Sequence, residues 1–240
     1  MTVIPPDVRA RDKHRRSALT PYPVALALQH TLAQERASGV IPDTLILVQH
    51  PPVITVGRSG SPLNIRVAAQ ELYRRGISVV DVERGGDVVL HCPGQLVGYP
   101  LLDLRARGGD LHRYIHDLEE VLVLILSGYG ISAERIPGKT GAWVGGRKIG
   151  FVGIAVKRWI TLHGFCLNIT PDLSLFDLIH PCGMAGVQVT SVAALTAHAV
   201  EMVEAACRTA AAFANVFGKV VVRNLVVPDA MEETVCPADR

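Results

Sequence analysis

No two cysteines in this chain stand at the C-x-x-C spacing of zinc sites and redox disulfides; Cys92, Cys166, Cys182, Cys207 and Cys236 are odd in number and far apart. Reduced thiols in a cytoplasmic protein are therefore expected. The histidines His50, His91 and His163 lack the close spacing of an H-E-x-x-H site, so no metal is expected. There is no G-x-G-x-x-G turn between a strand and a helix, and no G-x-x-x-x-G-K-[ST] loop, which argues against dinucleotide-binding and phosphate-loop enzymes. No apolar run reaches the roughly 18 residues of a membrane span, and charges occupy the N-terminal region where a signal peptide is apolar. A soluble, unexported protein without a membrane role is the expectation. Net positive charge is also lacking over the body: the net charge is +2, and Arg9, Arg11, Lys13, Arg15 and Arg16 near the N-terminus leave the rest close to neutral. A nucleic-acid protein spreads more positive charge over its fold, so nucleic acid is not an expected partner.

What is present fits one enzyme-sized domain. The 240 residues are 49% hydrophobic and 5% aromatic, enough for a single core rich in Val, Leu and Ala. Three segments are expected: a basic, disordered arm over 1–20, one catalytic domain over 21–230, and a tail over 231–240. Helical spacing of apolar residues predicts helices over 23–38, 67–75, 111–129 and 196–217, the third capped by Asp110, and a short one over 173–179. Short β-branched runs predict strands over 44–49, 53–57, 77–83, 88–91, 97–102, 142–144, 148–160 and 161–169. Gly145-Gly146 allows the tight primed turn of a hairpin that ends just before Arg147 and Lys148. Interleaved helices and strands without a repeat predict an α+β (mixed α/β) fold, a mixed sheet with flanking helices.

Several residues carry possible chemistry. Pro181 and Gly183 bracket Cys182 in a turn that presents its sulfur, so Cys182 reads either as a nucleophile or as a small buried hydrophobe. Lys148 shares a strand face with Gly150 and Val152, which directs its amine into an apolar space where burial lowers its pKa; an exposed hairpin lysine is the alternative. Arg84-Gly85-Gly86 to His91-Cys92-Pro93-Gly94-Gln95 is the densest polar and glycine cluster, open to close approach by a ligand. His163-Gly164-Phe165-Cys166 has the same character, with Cys166 read as pocket lining.

In order along the chain, Asp43-Thr44-Leu45 to His50-Pro51-Pro52, Arg84-Gly85-Gly86 with His91 and Pro93-Gly94-Gln95, Arg147-Lys148-Ile149, His163-Gly164-Phe165 with Leu167-Asn168, Pro181-Cys182-Gly183 and Val189-Thr190-Ser191 resemble the lipoate-protein-ligase B family of octanoyl-[acyl-carrier-protein]:protein octanoyltransferases. The resemblance spans Tyr22 to Ser191. It implies the fold of biotin and lipoate protein ligase catalytic domains, a thioester at Cys182, and Lys148 as the group that lowers the Cys182 pKa and moves protons. It implies acyl-pocket contacts from Arg84, Gly85, Gly86, Asp87, Val88, Val89, Leu90 and His91, from Phe151, Val152 and Gly153, and from Gly164, Phe165 and Cys166. It also implies octanoyl-acyl carrier protein as donor and, as acceptors, lipoyl domains of glycine cleavage H protein and of E2 subunits of 2-oxoacid dehydrogenases, served by a monomer without a cofactor. An ATP-dependent lipoate or biotin ligase and a non-catalytic acyl-carrier-binding module are the rival readings. The chain departs from the family pattern at Gln49, at Cys92 and at Gly150-Phe151, where two small residues are usual; Phe151 is expected to shorten the acyl pocket.

Overall fold

The computed structural model describes residues 19–197 and 199–225. The expected basic arm, apart from Leu19 and Thr20, and the expected tail over 231–240 lie outside the described residues. Thr20 is tied to the body, its N–H donating to the Gln49 carbonyl at 2.8 Å and its carbonyl accepting from His50 Nδ1 at 2.6 Å.

The elements run α1 (Tyr22–Ala37), β1 (Thr44–Val48), β2 (Val53–Val56), α2 (Ala69–Arg74), β3 (Ser78–Asp81), β4 (Val88–His91), β5 (Gln95–Leu101), α3 (Leu111–Ser127), β6 (Glu134–Ile136), β7 (Lys139–Val144), β8 (Arg147–Lys157), β9 (Ile160–Asn168), α4 (Val192–Leu195), α5 (Met202–Phe217) and β10 (Val221–Asn224). Seven strands form a mixed sheet in the order β10-β1-β5-β9-β8-β7-β6, and β3-β2-β4 form a second, smaller sheet. The His50-Pro51-Pro52 corner passes the chain from one sheet to the other, since proline cannot extend the β1 ladder.

Alternation along the strands divides the core in two. Leu45, Leu47, Leu96, Phe165 and Leu167 pack on one side with α3 and α5. Ile46, Val48, Val97, Tyr99, Leu162 and Cys166 pack on the other with α1 and the small sheet. Successive side chains of a strand point to opposite faces, so a sheet covered on both sides needs both sets apolar. The family of folds predicted from the order of elements is the one observed, a mixed sheet with flanking helices.

Three segments differ from the sequence expectation. The helix expected over 196–217 starts six residues late: the Thr196 N–H and hydroxyl both return to the Val192 carbonyl and close α4, which precedes that span, and α5 runs only from Met202. The turn between β8 and β9 is Arg158-Trp159, both with positive φ (52° and 67°). Non-glycine residues there carry no turn signal, and the Trp159 carbonyl is held by the Leu104 N–H at 2.9 Å. The edge strand β6 has no sequence signal of its own and forms by pairing with β7.

Candidate active site

Lys148 is fully buried. The two-residue turn at Gly145 and Gly146 (φ 54° and 73°) sets the register Val144 to Arg147 and Trp143 to Lys148. A cross-strand pair shares one face of the sheet, and the Lys148 ammonium accordingly lies 4.5 Å from the Trp143 ring centroid, with Phe151 at 5.2 Å. The ring faces attract the cation in place of water. Nζ also donates to the Thr140 carbonyl. A side chain at Gly141 (φ 117°) would put Cβ 2.8 Å from Nζ, so glycine there is what lets the backbone close on the ammonium.

Cys182 sits in a 3-10 turn, Pro181–Gly183, in the left-handed conformation (φ 55°, ψ 29°) and is followed by Gly183 with φ 71°. For cysteine this conformation costs about 1–2 kcal/mol, and the surroundings hold it. The His180 N–H donates to the Asn64 carbonyl at 2.7 Å, and Asn64 Nδ2 donates to Asp87 at 2.6 Å. Asp87 also accepts from the N–H groups of Ser61 and Val88 and packs against Gly183. Beyond the turn, the Gln188 carbonyl accepts from Lys148 N–H and Thr190 N–H donates to the Lys148 carbonyl, both at 2.9 Å. The segment after Cys182 is thereby laced to β8 at Lys148.

Each of the two groups shifts the other. Burial pushes the Lys148 ammonium down from its ordinary range, with the thiols of Cys182 and Cys166 and the carboxylate of Glu119 opposing it. Burial pushes the Cys182 thiol up, and the positive charges of Lys148 and then Arg84 pull it back. The Lys148 charge acts on Cys182 in the expected direction, but desolvation outweighs it and the net displacement is upward. The turn was expected to present the sulfur; instead it half-buries the residue.

A cleft reaches this pair through Phe151, whose ring faces the Lys148 ammonium; Cys182 and Lys148 themselves do not line it. Arg84, Val89, His91, Phe151, Val152, Gly153, Gly164, Phe165 and Cys166 of the expected contacts line it. The other expected contacts from the first cluster do not. Alternation along β4 turns Val88 and Leu90 away, Gly85 and Gly86 form the turn that carries Arg84, and the Asp87 carboxylate is occupied beneath the Cys182 loop. Phe151 stacks on Phe176 at 5.8 Å.

The far wall of the cleft is polar. Tyr22, Tyr99 and His163 line it together with His91. His50 Nδ1 must donate to the Thr20 carbonyl, so its Nε2 accepts from the Tyr99 hydroxyl at 2.7 Å. Burial depresses His50 and His163 to about 4 and His91 well below its ordinary value. With its imidazole neutral, the 3.5 Å approach of His163 to Glu83 is a polar contact, not an ion pair. Arg84 is the cation of this wall; its donors go to the Gly85 carbonyl and to the carbonyl and hydroxyl of Thr55, and none of these is a carboxylate.

Sequence reasoning missed Trp143, Tyr22, Tyr99 and Val97 as site residues. The signal for Trp143 was there, because a two-residue hairpin turn places it opposite Lys148. The other three arrive from α1 and β5 through tertiary packing.

The family model for the lipoyl protein ligase A/B catalytic domain matches residues 21–214. The octanoyltransferase of Geobacter sulfurreducens is 42% identical over 220 residues, 90% of this chain and 91% of its own length. That of Rubrobacter xylanophilus is 49% identical over 185 residues, 76% and 83% of the two chains. Among solved structures, lipoate-protein ligase A bound with ATP superposes with a TM-score of 0.67 at 18% identity, over 87% of this chain and 86% of that one. A bi-partite lipoate protein ligase from Thermoplasma acidophilum gives 0.67 at 16%, over 87% and 85%. These two likenesses are of fold.

Proposed function

This chain belongs to the lipoyl protein ligase A/B catalytic-domain family, and from that premise we propose that it is an octanoyltransferase with Cys182 as nucleophile and Lys148 as proton carrier. The observation that supports this reading is the buried ammonium of Lys148, caged by Trp143 and Phe151 and laced through its backbone to the segment that follows Cys182. A buried ionisable group displaced from its ordinary pKa is a candidate for proton transfer.

In the reacting form of this pair Cys182 is the thiolate and Lys148 the ammonium, a state that the Lys148 charge favours and burial opposes. In the thiolate form Cys182 attacks the carbonyl of an octanoyl-carrier thioester. The carrier sulfur departs with the bonding electron pair and takes its proton from the Lys148 ammonium, leaving octanoyl-Cys182 and a neutral amine. The neutral amine of the acceptor lysine then attacks this thioester. Lys148 removes a proton from the attacking nitrogen as the amide forms, and Cys182 leaves as thiolate, which restores the starting pair. One thioester replaces another in the first step, so no nucleotide is consumed.

The N–H groups of Gly183, Met184 and Gly85 are engaged by the carbonyls of His180, Pro181 and Ile154. In this reading the cations Lys148 and Arg84 stabilise the developing negative charge. Val89, Phe151, Val152 and Cys166 supply the apolar wall for the acyl chain. The donor in this reading is octanoyl-acyl carrier protein. Acceptors are lipoyl domains, glycine cleavage H protein and 2-oxoacid dehydrogenase E2 subunits among them, in the reducing cytoplasm that a free catalytic thiol needs. Among the described residues no helix is long and apolar enough to cross a membrane.

Intact-mass measurement after incubation with octanoyl carrier protein, without ATP, tests this directly. Wild type, Cys166→Ala and Cys207→Ala should gain one octanoyl group and Cys182→Ala none. Loading of Cys182→Ala, or loading only with free octanoate and ATP, rules the assignment out.

A further inference from the structure

Glu119 plays no part in the chemistry above, yet its carboxylate is one peptide group away from the Lys148 ammonium. It stands on α3, in a helix whose buried Leu118, Val121 and Leu122 hold it to the sheet. Its Oε1 accepts a hydrogen bond from the Gly141 N–H at 2.7 Å. That N–H and the Thr140 carbonyl belong to the same peptide group, and the Thr140 carbonyl is the acceptor of Lys148 Nζ. Carboxylate, peptide and ammonium thus form a chain in which the N–H end of the peptide dipole meets the acid and the C=O end meets the cation. Hydrogen bonds aligned in this way polarise one another, so the acid makes the carbonyl a better acceptor for the ammonium.

The geometry leaves the peptide little freedom to do otherwise. Any turn of its plane breaks both hydrogen bonds together. Gly141 has φ 117°, and a Cβ there would meet Nζ at 2.8 Å, so only glycine lets this backbone come so near the ammonium. Glu120, the next residue, turns away from the site to pair with Arg135. The groups that face Lys148 from the elements around it are the thiols of Cys182 and Cys166, the rings of Trp143 and Phe151, and Glu119; Lys139 shares the Trp143 ring at 5.6 Å. Glu119 is the carboxylate among them.

We propose that Glu119 is a positioning residue for Lys148, acting through the Thr140–Gly141 peptide to hold the acceptor carbonyl against the ammonium and to favour its protonated form. This rests on the reading of Lys148 as the proton carrier.

The test is the pH dependence of Cys182 acylation in a single turnover, followed by release of the carrier thiol from octanoyl carrier protein. The step needs the ammonium as proton donor, so its rate falls on the alkaline side as Lys148 loses its proton. Glu119→Gln keeps the acceptor oxygen and removes the charge. The alkaline limb should move to lower pH by about half a unit to one unit, with the donor KM unchanged. Glu119→Ala, which removes the acceptor as well, should also lower the plateau rate. Glu120→Gln should reproduce the wild-type profile. Superimposable limbs for wild type and Glu119→Gln overturn the proposal, as does a uniform fall in rate with the limb in place, the signature of a purely structural residue. Lys148→Met separates the two levels: if it acylates with the wild-type profile, the role of Lys148 itself fails, whereas an inactive Lys148→Met beside an unshifted Glu119→Gln sinks only the role of Glu119.

Discussion

Phe151 has two neighbours of different kinds, the Lys148 ammonium at 5.2 Å and the Phe176 ring at 5.8 Å. It therefore belongs both to the cage around the cation and to the wall of the cleft. Trimming it should enlarge the acyl site, and each methylene newly buried there is worth about 0.8 kcal/mol. In Phe151→Ala the rate ratio of C12 to C8 donors should rise, and Phe151→Leu should shift it less in the same direction. The ratio is the informative quantity, because losing the ring also removes a face from the ammonium and lowers both rates. An unchanged ratio in both variants would mean that the acyl chain does not reach this wall.

At the scale of elements, the site depends on glycines that do different work. Gly141 and Gly39 both have positive φ, 117° and 76°, but a Cβ at Gly39 would meet nothing, whereas one at Gly141 would run into Lys148 Nζ and the Gly150 carbonyl. Gly39→Ala should carry only the left-handed penalty of about 1 kcal/mol. Gly141→Ala should cost clearly more and also slow acylation, since β7 must retreat from the ammonium. Chemical denaturation of the two variants, with acylation rates alongside, checks the difference. Equal losses of stability, with acylation intact in both, would show that β7 yields without disturbing Lys148. The loop that shapes Cys182 is built on the same logic, with Asp87 gathering the Ser61, Asn64 and Val88 donors beneath the turn.

Over the whole molecule, the buried histidines set the response to acid. His50 and His163 are held near 4 and His91 well below its ordinary value, all by burial. Their folded pKa values lie below the unfolded value of about 6.5, so the unfolded chain takes up protons first as pH falls. Their contribution to stability is complete above about pH 6.5 and is lost progressively toward about pH 4. The slope is about 1.4 kcal/mol per pH unit for each histidine that is protonated only on unfolding. Thermal unfolding midpoints should thus drop between about pH 7 and about pH 5. A level midpoint across that range would mean that these side chains reach solvent in the folded protein.

The sequence by itself determined the elements whose signals are local. Asp110 caps α3 and accepts from the N–H groups of His112 and Arg113, Gly145-Gly146 makes the hairpin that buries Lys148, and the β-branched runs become strands of a mixed sheet. Each follows from residues within a turn or two of one another, where backbone sterics and hydrogen bonding are decided by neighbours. Tertiary structure alone decided the rest. The long helix expected from residue 196 begins only at Met202, because Thr196 is spent closing α4. Arg158-Trp159 turned without glycine because Leu104 holds the Trp159 carbonyl. Tyr22, Tyr99 and Glu119 reached the site from α1, β5 and α3. Whether Cys182 is charged or neutral was likewise beyond local reading: a spacing can bring a lysine to a strand face, but the balance between desolvation and the fields of Lys148 and Arg84 exists only once distant segments have closed around the thiol.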